Sequence, residues 1–131
     1  MNKREHELKK RELQELVGKK HYFSRKGMVA YHSDGMKHFQ AKAMLGYILR
    51  KNEHEFATEL EFPNGVIADV MDLSTFLVYE LESNYTDKDK KEKMDNFWAY
   101  DEIRDVFVID PQRLSDDINE MKEELEQKLV L

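Results

Sequence analysis

The middle of the chain alternates polar and apolar residues with a period of two, which predicts consecutive strands. Residues 56–62 (FATELEF) form the first such run and end at Pro63-Asn64-Gly65, in which Asn-Gly is a strong turn signal. Residues 66–73 return as a second strand, and only Ser74 separates it from a third strand over 75–82. The pattern therefore predicts an antiparallel meander of three strands.

Apolar residues spaced three or four positions apart predict helices on both sides of this meander. The expected helices cover residues 3–17, 33–50, 87–100 and 115–131. Suitable N-caps for the last three helices are Ser33 or Asp34, Asp87, and Ser115. The chain is thus expected to place helices before and after the strands.

The periodicity also assigns inward faces to two of these helices. For the helix over 33–50, the expected buried face consists of Met36, Phe39, Ala43, Met44, Tyr47 and Ile48. For the helix over 87–100, the residues expected to face inward are Met94, Phe97 and Trp98, and those expected to face outward are Lys88, Lys90, Lys91 and Lys93. Both helices are therefore expected to pack on the sheet.

Two further segments complete the expected fold. Residues 19–31 alternate poorly and suit a small hairpin or an ordered basic loop, whereas the apolar run 106–109 is typical of a strand buried on both faces. From residue 33 to 110 the expected order is helix, three strands, helix, strand. The fold class is therefore α/β (α+β), with a central mixed sheet flanked by helices and extra helices at both termini.

Three acidic residues interrupt the second and third strands. Asp69 is the single charge in an apolar run, and Glu80 and Glu82 share one face of a mostly apolar strand. If the two strands pair through the turn at Ser74, Asp69 lies at a depth near that of Glu80. Burying an ionised carboxylate is costly unless it is paired or binds a metal. The cluster therefore indicates a site for a hard ion, Mg²⁺ or Mn²⁺, which prefers oxygen ligands.

A structural explanation of the same residues stays open. Glu82 and Glu80 can project past the edge of the sheet into water, and Asp69 can pair with a lysine. The five histidines show no zinc-binding spacing with one another or with a carboxylate, so no zinc site is expected.

The composition limits the class of protein. A length of 131 residues suggests one domain over 1–131, with a basic N-terminal extension (1–32), a core (33–110) and a C-terminal helix (111–131). The absence of cysteine excludes disulfides, thiolate metal sites and cysteine nucleophiles. No apolar run approaches a membrane span or a secretory signal, so no membrane association and a cytoplasmic location are expected.

The net charge of −6 hides an asymmetry along the chain. Residues 1–51 carry 13 Lys and Arg against 5 Asp and Glu, a net of +8, and the remaining 80 residues carry a net of −14. A basic part can bind phosphates while an acidic part binds cations. Two solvated helices of opposite charge are an equally open interpretation.

The order of elements and the spacing of the acids resemble those of the restriction-endonuclease-like superfamily of PD-(D/E)xK nucleases. The resemblance covers residues 35–110 and rests on Gly65-Val66-Ile67-Ala68-Asp69-Val70, on Val78-Tyr79-Glu80-Leu81-Glu82, and on the following helix and strand. It implies divalent-metal-dependent endonuclease or exonuclease cleavage of phosphodiester bonds in DNA, leaving a 5′-phosphate and a 3′-hydroxyl.

The resemblance also implies roles for individual residues. Asp69 and Glu80 match the metal-binding acids, the backbone carbonyl of Leu81 can complete the coordination, and Glu82 stands where a catalytic lysine is usual. Gln40 is expected to take the place of a glutamate that many members carry on the first helix. Ala68 replaces the usual proline, with little chemical effect.

The residues expected to contact DNA phosphates are Lys19, Lys20, Arg25, Lys26, His38, Lys42 and Lys88. Lys88 is also expected to supply the positive charge that Glu82 does not, because it lies on the helix after the third strand. His38 and Lys42 are expected on the outer side of their helix, away from the metal.

The resemblance leaves alternatives open. The chain can be an inactive nuclease-like fold that serves as a DNA-binding or assembly subunit, or a purely structural α+β protein with an accidental acidic row. A homodimer is one alternative for the oligomeric state. Compact members of the superfamily are common in viruses and other mobile elements, and a virally encoded chain would act in the host cytoplasm.

Overall fold

The computed structural model describes residues 1–29, 35–83 and 86–131. In these residues the chain is a mixed α+β fold with five α-helices and four strands. The helices are α1 (Lys3–Val17), α2 (Lys19–Arg25), α3 (Met36–Lys51), α4 (Asp87–Trp98) and α5 (Ile118–Lys128). The strands are β1 (Phe56–Glu61), β2 (Ile67–Asp72), β3 (Leu77–Leu81) and β4 (Asp105–Ile109), and a short 3₁₀ turn covers Pro111–Arg113.

The sheet has the order β1-β2-β3-β4. The first two pairings are antiparallel, as the alternation predicts, and β4 lies parallel to β3 with Glu80 opposite Val108. The predicted order of helix, three strands, helix, strand is therefore confirmed. The described residues contain no helix with the length and apolar character needed to cross a bilayer.

A hydrophobic cluster lies on each face of the sheet. One cluster joins the sheet to α1, α2 and α4 through Leu13, Tyr22 and Phe97. The other joins it to α3 and α5 through side chains that include Leu45 and Leu125. All five of these side chains are fully buried. The helices therefore form one layer on each side of the strands.

Several local predictions were wrong. Residues 19–25 form a helix instead of a hairpin, because Tyr22 is buried in the core and the His21 ring accepts a hydrogen bond from the Glu61 amide. Thr86 caps α4 in place of Asp87, and Asp117 caps α5 in place of Ser115. The predicted caps Ser33 and Asp34 lie outside the described residues.

The predicted inward face of α3 was also wrong in its main residues. Met36, Phe39 and Tyr47 are exposed, with 71%, 41% and 55% of their surfaces accessible. The face that packs on the sheet consists of Ala41, Lys42, Leu45, Ile48 and Leu49. α3 carries apolar residues on two opposite sides, and the sheet takes the side that has the branched aliphatic residues.

Two further burial predictions need correction. Strand β4 is less buried than a central strand, with Phe107 and Val108 half-buried, because it lies at an edge of the sheet. Trp98, expected to face inward, is 49% exposed because α4 ends at this residue, while Phe97 is fully buried.

The pleat of β1 and β2 breaks at one row of the sheet. Glu59 lies opposite Asp69 in the register, since Thr58 pairs with Val70 and Leu60 with Ala68. Residues three apart normally face opposite sides of a sheet, yet Ala57 and Leu60 belong to the same core cluster, as do Ala68 and Met71. Glu59 has a φ of 54°, a strained value for a residue with a Cβ.

The Glu59 carboxylate is held by Lys42 of α3. The Lys42 ammonium is fully buried and lies 2.8 Å from Glu59 Oε1 and 3.0 Å from the Val29 carbonyl oxygen. This contact ties α3 to the strained position in β1. It also removes Lys42 from the surface, so its predicted contact with DNA phosphate was wrong.

We expect Lys42→Met to lower the free energy of unfolding by about 3 kcal/mol, because it leaves the Glu59 carboxylate without its buried partner. Urea unfolding measures this loss. The double variant Lys42→Met/Glu59→Gln should recover a large part of it, since the Glu59 carboxylate that lost its buried partner is then replaced by a neutral amide. Strictly additive losses in the two single variants would contradict this coupling.

Candidate metal centre

The β2 and β3 strands are joined at one point by side chains instead of by the backbone. The register that pairs Val70 with Tyr79 places Asp69 across from Glu80. There the Asp69 amide donates to Glu80 Oε2 at 2.7 Å, and the Leu81 amide donates to Asp69 Oδ2 at 2.8 Å. Each carboxylate therefore takes a hydrogen bond from the opposite strand, where a carbonyl oxygen would ordinarily accept it.

This arrangement brings three carboxylates together. Oxygen atoms of Asp69, Glu80 and Glu82 all lie within 4.8 Å of one another, as predicted for Asp69 and Glu80. Asp69 is 9% exposed and Glu80 is 1% exposed, whereas Glu82 is half-buried at the end of the strand. Three carboxylate groups at this spacing form an all-oxygen donor set that fits a hard divalent cation.

Lys93 of α4 supplies a positive charge to the same cluster. Its ammonium lies 2.9 Å from Glu80 Oε1 and donates to Glu82 Oε1 at 2.6 Å. The predicted source of this charge, Lys88, is exposed on the same helix. The prediction that α4 supplies this charge was therefore correct, but the residue that supplies it is Lys93 and not Lys88.

The charges at the centre shift two pKa values. Burial raises the pKa of Glu80 well above its ordinary value, and the neighbouring Asp69 charge raises it further, against the opposing effect of Lys93. Burial alone would lower the pKa of Lys93, but the charges and hydrogen bonds of Glu80 and Glu82 outweigh it and raise that pKa. Lys93 therefore stays protonated at neutral pH.

His38 of α3 approaches the centre from the other layer. Its Nε2 lies 4.0 Å from Asp69 Oδ2, and its side chain is 25% exposed. The prediction that His38 lies on the outer side of its helix was wrong. His38 shares the inward side of α3 with Leu45 and Leu49, at seven and eleven residues beyond it.

Gln40 does not occupy the position expected for it. It lies about 160° around α3 from His38 at 100° per residue, on the side of the exposed Met36 and Tyr47, and is half-buried. The polar residue of the first core helix that faces the carboxylates is therefore His38. The carbonyl oxygen of Leu81 stays a predicted ligand.

The predicted nucleic-acid-binding residues of the N-terminal segment lie beside β1. The His21 ring accepts a hydrogen bond from the Glu61 amide, and the backbone of Lys26 pairs with that of Ala57 in an isolated antiparallel β-bridge. Helix α2 therefore runs along the β1 edge of the sheet. Lys19 and Lys20 are exposed, and Arg25 is half-buried. The Lys26 ammonium lies 3.2 Å from Glu55 Oε1, so its charge is partly compensated within the protein.

Two open cavities meet the centre at Glu82. One, of 510 Å³, extends along the ends of β3 and β4 and is lined by Lys90, Arg113 and Lys128 together with several acids. The other, of 490 Å³, is lined by Lys93 and by the acidic residues Asp89 and Glu92. The half-buried end of the cluster is thus accessible from solvent on both sides.

Comparisons with protein-family models, with curated proteins and with solved structures gave no match for this chain.

A sequence signal existed for the two residues, Lys93 and His38, that the structure adds to the centre. Lys93 lies one helical turn before the buried Phe97, so the two share a face of α4. His38 lies one turn before Lys42 and seven residues before Leu45, on the buried face of α3. For His38, the signal required the correct apolar face of α3 to be chosen first.

We expect the stability of the protein to depend on pH through Glu80. Because the native pKa lies above the ordinary 4.5, the native state binds more protons than the unfolded state above that pH. The contribution of Glu80 to the free energy of unfolding therefore falls as pH rises from about 4.5 through the native pKa.

Urea unfolding of wild-type protein and Glu80→Gln over a series of pH values tests this, without added metal. The stability of the wild type relative to Glu80→Gln should decrease with rising pH, because Gln cannot ionise. An increase of that difference with pH would show that the native centre favours the ionised carboxylate.

Proposed function

We propose that the chain is a divalent-metal-dependent nuclease that hydrolyses phosphodiester bonds in DNA, with a restriction-endonuclease-like core. The observation that carries this proposal is the set of three carboxylates within 4.8 Å beside the Lys93 ammonium. The confirmed order of helix, three strands, helix, strand supports it, because the resemblance depends on that order.

A count of charges supports a divalent ion at this position. When ionised, Asp69, Glu80 and Glu82 carry three negative charges, and Lys93 compensates one of them. The remaining two negative charges match one divalent cation. Asp69 and Glu80 would hold it from adjacent strands, and Glu82 would complete its protein ligands at the solvent side. Bound Mg²⁺ or Mn²⁺ lowers the pKa of a coordinated water and offsets charge on the phosphoryl oxygens.

In this proposal, Lys93 takes the role that the third-strand lysine has in the nucleases that the chain resembles. It remains protonated because of its raised pKa, so it acts as a positive charge and hydrogen-bond donor and not as a general base. With an ion held by Asp69 and Glu80, Lys93 would keep its contact with Glu82 and would be positioned to donate to a substrate phosphate. His38 beside Asp69 can hold a water molecule or a phosphate oxygen from the opposite side.

The alternative is an inactive nuclease-like fold that serves as a DNA-binding or assembly subunit. The ion pairs of Lys93 with Glu80 and Glu82 favour it, because they satisfy part of the cluster without a metal. The two functions differ in one measurable property, since only the nuclease needs a divalent ion at the cluster.

We expect Lys93→Gln to lower the rate of Mg²⁺- or Mn²⁺-dependent DNA cleavage about 10²- to 10³-fold, the usual loss when one preorganised electrostatic contact is removed. Nicking of supercoiled plasmid, with a chelator control, measures the rate. Lys91→Gln is the matched control, because Lys91 is exposed on the same helix and is not among the residues expected to contact DNA, and it should leave the rate constant of cleavage nearly unchanged.

Metal binding has a readout that does not depend on cleavage. Mn²⁺ should raise the melting temperature of the wild type by several degrees at a large excess over Kd, and Asp69→Asn should remove this shift. No shift for the wild type, together with no cleavage, would favour the inactive subunit.

We expect Lys19→Gln/Lys20→Gln to weaken binding to all DNA sequences alike, with the slope of log affinity against log salt reduced by about 0.9 for each phosphate that a lysine no longer neutralises. Lys26→Gln should have an effect smaller than half of that of the double variant, because Glu55 already pairs with this lysine. Fluorescence anisotropy at several salt concentrations measures both. Equal effects per lysine would mean that the Glu55 pair is broken in the complex.

A further inference from the structure

The outward side of α3 is an apolar stripe that no other element in the described part of the chain covers fully. Met36, Phe39 and Tyr47 are 71%, 41% and 55% exposed, and the half-buried Ala43 lies between them. At 100° per residue the four side chains fall within about 80° of one another around the helix. Contiguous exposed patches of this kind mark interaction surfaces more often than isolated apolar residues do.

The spacing of the stripe is symmetric about Ala43. Phe39 and Tyr47 lie four residues before and after it, and Met36 and Arg50 lie seven residues before and after it. An interface on a twofold axis requires such a self-complementary surface, because each contact must occur twice. If a second α3 crosses in the antiparallel direction at Ala43, Phe39 of each copy meets Tyr47 of the other.

The charges around the stripe match the same arrangement. Helix α3 contains no Asp or Glu, and its C-terminal end carries Arg50 and Lys51. The antiparallel pairing brings this basic end beside Met36 and Lys37 of the other copy. Lys37 pairs there with Asp116, whose side chain is fully exposed and precedes the acidic helix α5. The basic end of one copy therefore approaches an acidic segment of the other.

The adjacent α5 also argues against a nucleic acid on this surface. It packs against α3, and Lys122 of α5 lies 6.0 Å from the centre of the Tyr47 ring. The other charged residues in α5 and just before it are mostly acidic: Asp116, Asp117, Glu120, Glu123, Glu124 and Glu126. A polyanion on the stripe would lie along this acidic border.

The exposed area of the stripe gives the approximate size of the proposed interface. Aromatic side chains bury 150–250 Å² each, so the exposed fractions of the stripe correspond to roughly 400 Å² per copy. With the stems of Arg50 and Lys51, the total for both copies is on the order of 1,000 Å², at the low end for a specific interface. The association is therefore reversible and depends on concentration.

We propose that two copies of this chain associate through antiparallel α3 helices that cross at Ala43. This interface does not depend on whether the chain cleaves DNA. It does not cover His38 or the carboxylate cluster, because His38 lies on the inward side of α3 and the cluster lies in the sheet.

The absence of cysteine makes a direct test available. Packed helices with axes about 8 Å apart bring facing Cα atoms within the roughly 4.4–6.8 Å that a disulfide spans. Ala43→Cys should therefore cross-link to itself under mild oxidation, at least about tenfold faster than Met36→Cys, because association holds the facing thiols at a millimolar effective concentration.

Met36→Cys is the matched control, since Met36 is more exposed on the same stripe but lies roughly 20 Å from its own copy across the axis, at 1.5 Å per residue. A mixture of Met36→Cys and Arg50→Cys should form the mixed disulfide. Equal rates for Ala43→Cys and Met36→Cys would overturn the proposed interface.

Sedimentation of the unmodified protein gives an independent measurement. Its mass should rise toward that of two chains with increasing concentration. Ala43→Glu should remove this rise by placing two like charges at the axis, and Ala99→Glu, at the exposed C-cap of α4, should keep it. A constant monomer mass overturns the proposal. If the protein instead stays a monomer and Phe39→Ala weakens its binding to single-stranded DNA, the stripe is a nucleic-acid surface and the proposed interface is wrong.

Discussion

The reciprocal contact between β2 and β3 determines the rest of the centre. Asp69 Oδ2 accepts the Leu81 amide and Glu80 Oε2 accepts the Asp69 amide, so the two carboxylates bridge the strands at a row where no backbone pairing is formed. Because each carboxylate is fixed by the other strand, both are held in place although they repel each other. Lys93 and His38 then approach from the helical layers on either side. The centre therefore depends on the register of two strands more than on any loop.

The strands and the acids could be predicted from the sequence because their signals are local. Alternation with a period of two, the Asn64-Gly65 turn and a single charge within an apolar run fix the register of Asp69 relative to Glu80 within a few residues. The proximity of these carboxylates follows from antiparallel pairing alone. The strain at Glu59 could not be predicted, since no local pattern shows that this carboxylate pairs with the buried Lys42 of α3.

The residues that complete the centre depend on which side of each helix faces the sheet. Helix α3 has two apolar sides, and helical periodicity does not distinguish them. The sequence prediction placed the side with Phe39 and Tyr47 against the sheet. It therefore placed Gln40 inward and His38 outward. The sheet instead contacts Leu45 and Leu49, because branched aliphatic side chains fill the space against the strands. One wrong rotation of a helix about its axis therefore misplaces every polar residue on that helix.

The position of Lys93 has a consequence for how the chain reaches its native state. Many small metal-binding domains are unfolded without their ion, because nothing else offsets the repulsion of their ligands. Here a tethered ammonium acts as the counter-ion of Glu80 and Glu82 from the moment α4 docks on the sheet. The charge of Glu80 and Glu82 is thereby partly offset within the chain before any cation binds. If the proposed ion binds there, it would compete with an ammonium that cannot diffuse away, and its affinity would be lower than at the same carboxylates without a lysine.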